Sequence, residues 1–443
     1  MPRRGFMHLP GSFRKMNKEA FYITVKDLAA AGKGAVPPQL RSSEHLIYSS
    51  PAALAFNSPG AEGFGVKRAG LAVPGSVMLI VSPGCCGRNT SLVSRMPEYK
   101  NRFFYLNLEE KDVITGRHLS KIPQAVGEIY DYLDVKPSVF MICITCVDAL
   151  LGTDMERVCR KARELINIPV RPCYMYALTR EGSRPPMVHV RQSLYSLLKP
   201  GQRKKESADI LGFFSPLEKG CELYSVLSAM GIENIREISA CPSYEEFLKM
   251  NEANFSLLLN PEGRPAADDM AKNLGIPYIE LARMYDAERN LKQYSALSKA
   301  LNVKLDVSDF YEEAKAARNE FCSEYKGLKV SVGECLNGDP FELALALALS
   351  GLCAAEIFGT VTDENFVWIK ALAQISPQTR VYSNLEPSML YYDGSLSETG
   401  FAIGKDARYY HPDVPGINWN SDVQPFGLSG ITSLFKAAAE AMK

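Results

Sequence analysis

Short apolar runs of strand type recur along this chain, and each gives way to a loop and then to a helix-forming stretch. The first unit has strands at 76–82, 102–107, 138–145 and 169–176, with helices near 119–133 and 153–166. A second unit opens at SADILGFFSP (207–216). It continues through a helix at 217–230 closed by Gly231, a strand at 233–238, a helix near 243–251, the strand FSLLLN (255–260) and a helix opening in GRPAADDMAKNLG. A third begins at GLKVSVGECLNGDP (327–340), followed by a helix at 341–350, a strand at 353–359, a helix near 363–374 and strands at 379–383 and 400–403. Strands alternating with helices build a parallel sheet covered on both faces. The fold class expected is therefore α/β, with three doubly wound, Rossmann-like domains. The boundaries are an N-terminal extension at 1–50, domains at 51–205, 206–278 and 327–443, and a charged helical connector at 279–326.

A chain of 443 residues is too long for one core, which agrees with several domains. Basic and acidic residues number 50 each, so no net field draws the chain to nucleic acid or to an anionic membrane surface. No apolar stretch reaches the roughly 18–20 residues that span a bilayer. The basic start, MPRRGFMHLPGSFRK, lacks the continuous apolar segment of a secretory signal. Eleven scattered cysteines, an odd number, read as reduced thiols in a cytoplasmic protein.

Two of the strand-type runs end in thiols: VMLIVSPGCCGRNTS, with Cys85 and Cys86, and VFMICITCVDALLGTD, with Cys143 and Cys146. Thiolates at the ends of neighbouring strands can converge on one soft metal centre, and iron–sulfur clusters are held by such thiolates. A cysteine that ends a buried strand is otherwise ordinary core. The adjacent pair after Pro83-Gly84 and before Gly87 is harder to read that way, because the glycines let backbone N–H groups approach anionic sulfur. Cys143-Ile-Thr-Cys146 also has the spacing of a redox CxxC. It lies far along a long chain, however, and follows a strand instead of opening a helix. Cys159, Cys173, Cys221, Cys241, Cys322, Cys335 and Cys353 have no partner at metal-ligand spacing.

These segments together resemble the nitrogenase component 1 family, whose relatives include the dark-operative protochlorophyllide and nickel-sirohydrochlorin reductases. SPGCCG is similar to the family's HGPxGCG loop, and TCVDALLGTDMERV to its TCxxxxIGDDxxxV. NPEGRPAADDMAKNLGIPYI resembles the family's second domain, and VPGINWNSDVQPFGLSGITSLFKAAAEAM its carboxy-terminal segment. The likeness runs over roughly 50–443. It implies that 51–205 is an iron–sulfur cluster domain, with Cys86 and Cys146 on ligand positions and Cys85 an extra thiol. The family's first cluster cysteine has no counterpart: Asn57-Ser58-Pro59-Gly60-Ala61 stands there. Asn57, Ser58, Cys85 or a residue of a partner chain would take its place.

Two or three thiols fall short of four, so the resemblance implies a cluster of [4Fe-4S] or [8Fe-7S] type bridging two subunits. The second subunit is expected to be homologous, in a heterodimer or α2β2 assembly in preference to a homodimer. The family's large cofactor is held by a Cys in the second domain and a His near the carboxy terminus. The matching stretches, 255–262 and 416–423, contain neither, which argues against dinitrogen reduction. No GxxxxGK[ST] occurs, so no nucleotide is expected on this chain and ATP hydrolysis falls to a separate iron–sulfur ATPase.

The function implied is a subunit of an ATP-dependent, two-component reductase acting on a substrate other than dinitrogen. The alternatives are a non-catalytic scaffold for assembling a metal cofactor, or a metal-free small-molecule binder. Substrate contacts are expected from loops at 179–184, 262–264 and 418–420. Arg264, beside Glu262, can hold a carboxylate or phosphate, or can simply pair with Asp268 or Asp269. Among the histidines, His189 and His411 lie in family-like loops and are the two substrate-site candidates.

Overall fold

The computed structural model describes residues 19–41, 52, 65–84, 93–145, 151–175 and 185–443. Its first strand, β1 (Ile23–Thr24), belongs to a sheet completed only near the end of the chain. Strands β2 (Val77–Ser82), β3 (Phe103–Asn107), β4 (Phe140–Ile144) and β5 (Val170–Tyr174) form a parallel sheet in the order β3-β2-β4-β5. Every residue of β2 and β4 is buried. That is why both read as unbroken apolar runs: helices cover both faces of a parallel sheet. The helix Met155–Ile166 shows how the local sequence sets its own limits. Asp154 accepts the Arg157 N–H at 3.0 Å at its start, and Asn167 ends it in the left-handed conformation.

Strands β6 (Lys204–Leu211), β7 (Asn234–Glu237), β8 (Ala253–Leu258) and β9 (Tyr278–Glu280) form a second parallel sheet, ordered β7-β6-β8-β9. The third contains β10 (Lys329–Val332), β11 (Cys353–Phe358), β12 (Arg380–Tyr382), β13 (Phe401–Ile403) and β14 (Gly416–Ile417), in the order β1-β12-β11-β10-β13-β14. All its pairings are parallel except β1 with β12. In each sheet the winding reverses beside the first strand of the unit: at β2/β4, β6/β8 and β10/β13. Such switch points open crevices at the carboxyl ends of strands, where open α/β sheets bind ligands.

The units share their cores. Met78, Ile80, Met141 and Cys143 of the first sheet lie in one apolar cluster with Leu211 and Leu258 of the second and with Met270 of the helix Arg264–Leu274. The other face of the second sheet, through Ala208, Ile210 and Leu257, packs with the third sheet's Val330 and Ile357. The segment expected as a helical connector holds helices Ala287–Leu301 and Ser308–Glu324. Their Tyr294 and Phe321 join that cluster with Leu434 and Phe435 of the final helix, Gly427–Ala441.

The described part of the amino-terminal extension is built into the third sheet. β1 pairs antiparallel with β12, Ile23 opposite Val381, and the Phe21 N–H donates to Ser388 Oγ at 2.9 Å. A two-residue strand carries no periodic signal, so the sequence did not announce it. Among the described residues no helix is long and apolar enough to cross a membrane.

Candidate functional site

Two regions at strand ends carry chemistry. The first is the mouth of the first sheet. β2 and β4 are neighbours with Val81 opposite Ile144, so the chain leaves the sheet at its switch point in two adjacent places. Cys86 lies four residues beyond Ser82 and Cys146 two beyond Ile144. Cys85, Cys86 and Cys146 fall outside the described residues, as do Asn57 and 179–184. Thr145, the last described residue before Cys146, is buried, and its Oγ1 has no hydrogen-bond partner among the described residues. A buried hydroxyl without a partner is costly. It suits a position beside an anionic acceptor such as a thiolate or cluster sulfide, and in this respect the site fits an iron–sulfur group.

Cys143 is placed differently. It lies inside β4, fully buried, opposite Cys173 of β5. Its neighbour Cys173 is pushed well up, by the Cys143 thiol and then by burial. Cys143 is therefore a core thiol, and the strand mouth begins beyond it.

The second region is a cleft of about 970 Å³ where the three domains meet. It lies at the carboxyl ends of β6, β8 and β9 on one side and of β10 and β11 on the other. Gly212, just after β6, has φ +113°, and a Cβ there would come within 2.7 Å of the Asn260 backbone nitrogen. Only glycine lets these two strand ends approach so closely.

Arg191, on the Pro186–Tyr195 helix, is buried beside the cleft. Its Nε donates to the Gly212 carbonyl and its Nη1 to the Met187 carbonyl and to Glu262 Oε2, each at 2.9 Å. Arg264 opens the helix Arg264–Leu274, and its Nη2 donates to Glu280 at 2.7 Å. Its Nη1 reaches Glu364 of the third domain at 3.1 Å. Glu262 and Arg264 thus share the cleft, but each is already paired. The partners of Arg264 are Glu280 and Glu364, not Asp268 or Asp269.

The third domain contributes Glu334 and Asp339. Glu334 Oε2 accepts from the N–H and hydroxyl of Thr360, both at 3.0 Å, and Oε1 from Asn384 at 3.0 Å. Burial, and then the Asp406 carboxylate, push the Glu334 carboxyl up in spite of these bonds. Asp339 caps the helix Pro340–Leu349 through the N–H groups of Phe341 and Glu342, and burial raises it also. Arg283 follows β9. Its Nη2 donates to Gln424 Oε1 at 2.6 Å, and its guanidinium carbon sits 4.6 Å from the Phe213 ring centroid.

The two histidines lie elsewhere. His189 stands edge-on to Tyr174, with ring centroids 5.3 Å apart, in a separate surface pocket with Arg171 and Asp269. His411 is buried in the third domain, its Nε2 3.0 Å from Glu356 and from the Tyr392 hydroxyl. Burial opposes ionisation of Glu356, but the bonds from His411 and Tyr392 win and hold it below the usual carboxylate range. Neither histidine lines the cleft. Arg191, Arg283, Glu334 and Trp368 do, and no sequence motif marks them. The one local signal was the Asp-Pro of GECLNGDP, a helix start after a strand.

The family model for nitrogenase component 1 type oxidoreductases matches residues 62–347. The chain belongs to this family. Among solved structures, nitrogenase Cp1 at pH 6.5 superposes with a TM-score of 0.70 at 16% identity, over 92% of this chain and 96% of that one. That likeness establishes the fold. Curated relatives include the nitrogenase iron-molybdenum cofactor biosynthesis protein NifE of Clostridium pasteurianum, 26% identical over 253 residues, covering 55% of this chain and 54% of the relative. NifE of Nostoc sp. is 25% identical over 210 residues, covering 46% and 43%. NifE of Klebsiella pneumoniae is 26% identical over 218 residues, covering 44% and 46%. The chain thus spans about half the length of the curated relatives it matches.

Proposed function

We propose that this chain is one subunit of an ATP-dependent, two-component reductase. A separate iron–sulfur ATPase would deliver electrons through a cluster at the mouth of the first sheet to a substrate, other than dinitrogen, held in the three-domain cleft. The observation that supports this reading is the adjacency of β2 and β4, which end at one switch point four and two residues before Cys86 and Cys146 in the sequence. Cys86 and Cys146 would hold the cluster, with Cys85 or Asn57, and thiols of a homologous second subunit, completing its ligands. The bound cluster supplies one-electron storage. The chain's part would be to bury it and to donate hydrogen bonds to sulfur, a role the unmatched Thr145 hydroxyl could take, and both affect its potential.

The described lining of the cleft offers carboxylates, amides, aromatic faces and guanidinium groups, with no thiol or imidazole among them. Such a lining supports a substrate held by hydrogen bonds and charge in preference to a soft-ligated metal cofactor. The test is anaerobic purification followed by iron and sulfide analysis. Cys86→Ala and Cys146→Ala should each lose most bound iron, and full iron in Cys146→Ala would sink the assignment. Cys85→Ala separates an extra thiol (mild loss) from a substitute ligand (severe loss).

One observation favours a second reading, a scaffold on which a metal cofactor is assembled: the curated relatives are named as cofactor biosynthesis proteins. Turnover of a candidate substrate with the ATPase partner and dithionite would support the reductase. Release of a metal cofactor to an acceptor protein, without turnover, would support the scaffold.

A further inference from the structure

Three arginines line the described cleft, and two of them are matched by carboxylates: Arg191 by Glu262, and Arg264 by Glu280 and Glu364. Arg283 has no carboxylate within ion-pair distance among the described residues. Its only hydrogen-bond partner there is the neutral Gln424 amide oxygen, and its Nε is sealed from solvent with no acceptor. One face of the guanidinium is covered by Phe213. Arg283 is half-buried, and a guanidinium partly withdrawn from water with no carboxylate in contact is costly; burial lowers its affinity for the proton, while Glu218, beyond ion-pair distance, acts the other way.

The remaining cleft acids do not supply the missing charge. Asp339 is committed to a helix start, and Glu334 is bound by Thr360 and Asn384 and held toward its neutral form by burial. The shortfall is local, since carboxylates are at least as many as guanidiniums over the whole lining: among the described residues Arg283 alone of the three cleft arginines has no carboxylate in contact. We infer that the cleft's ligand carries an anionic oxygen group, a carboxylate or a phosphate, that docks on the Arg283 guanidinium. The fork geometry of arginine suits the planar pair of oxygens that either group presents. The inference rests on the reading of this cleft as the ligand site, and it narrows the class of substrate or cargo to anions.

The chain supplies its own reporter. It has two tryptophans. Trp368 lines the cleft, and Trp419 donates to the Tyr285 hydroxyl at 2.7 Å, two residues from Arg283. The experiment is a fluorescence titration of the full chain, as purified, with citrate and separately with inorganic phosphate at fixed ionic strength. Fixing the salt removes diffuse screening effects. A saturable change with citrate identifies a carboxylate ligand, and one with phosphate identifies a phosphoryl ligand. Arg283→Gln should raise Kd at least tenfold, and Arg283→Lys, which keeps the charge but loses the fork, should raise it about threefold or more.

A wild-type chain that responds to neither anion would overturn the inference, as would unchanged affinity in a folded Arg283→Gln. Should that variant not fold, the Arg283→Lys titration decides alone. The readout needs neither iron nor turnover. Failure here with iron and reductase activity intact would remove only the anion site, and anion binding by a chain that never takes up iron would remove only the reductase reading.

Discussion

Arg264 and Glu364 meet 3.1 Å apart across the mouth of the cleft, so one guanidinium ties the second domain to the third. Both side chains are well exposed, at 43% and 65%. Exposed pairs contribute little, about 0–1 kcal/mol. A double-mutant cycle with Arg264→Ala and Glu364→Ala, followed by thermal melting, should therefore give a coupling no larger than about 1 kcal/mol. A coupling of several kcal/mol would mean that the pair behaves as buried and that the cleft is closed in solution.

Glu222 joins more of the chain than any ion pair at the surface. Its carboxylate accepts the backbone N–H groups of Leu428 and Ser429, the Ser429 hydroxyl at 2.7 Å and the Tyr294 hydroxyl at 2.7 Å. It thereby fastens the start of the final helix to the second domain and the connector. Glu222→Ala leaves several buried donors unmatched, each costing about 1–3 kcal/mol, and should lower Tm steeply. Glu222→Gln, which keeps one acceptor oxygen, should be milder. Gly427→Ala should also be severe, because φ there is +63° and an added Cβ would overlap Glu222 Oε1. A Tm for Glu222→Ala within a degree or two of wild type would contradict this account.

Asp209, in the middle of β6, is fully buried, and neither of its carboxyl oxygens has a hydrogen-bond partner among the described residues. Burial pushes its carboxyl well up, although Arg236 opposite it on β7 acts the other way. The native chain thus keeps a proton that the unfolded chain releases above about pH 4. Stability is undiminished below that value and falls as pH rises toward the native one, by about 1.4 kcal/mol per pH unit. Asp209→Asn should remove this slope and melt higher than wild type, with a larger gain at pH 8 than at pH 5. Parallel Tm profiles for the two proteins would show that Asp209 is ionised in the fold.

Cys143 and Cys173 should behave as core. Cys143→Ala is expected to cost about 1 kcal/mol and to leave bound iron unchanged, in contrast to Cys146→Ala. Gly70 packs against Met78 and Cys173: a Cβ at Gly70 would come within 2.5 Å of Met78 Cε and 3.1 Å of Cys173 Sγ. Gly70→Ala should therefore overpack the site and cost about 1–3 kcal/mol by thermal melting. Loss of iron in Cys143→Ala with the fold retained would return Cys143 to the ligand set.

The sheets were legible in the sequence because parallel strands buried on both faces leave continuous apolar runs, as in VMLIVS and VFMICI. β1, β9 and β14 were not, since two or three residues carry almost no period and owe their strand form to the partner strand. At the cleft, Glu262 and Arg264 were found because they follow a strand directly. Arg191 sits within a helix and Arg283 in a loop without a motif, and only the meeting of domains brings them together. His411 is the opposite case: a family-like loop suggested a substrate role, and the fold buries it against Glu356. Which groups neutralise which is decided by tertiary neighbours, and spacing along the chain does not carry that information.

The pairing of β1 with β12 also sets an order of events during synthesis. Phe21 and Ser388 are 367 positions apart, so the amino-terminal segment waits for its place until nearly all the chain has left the ribosome. The first two sheets need no such partner and can close earlier, in keeping with domains that fold as they emerge. The last sheet is then the slow one, its outer strand unguarded in the interval and open to pairing with another chain. A chain beginning after residue 41 would never cover that edge.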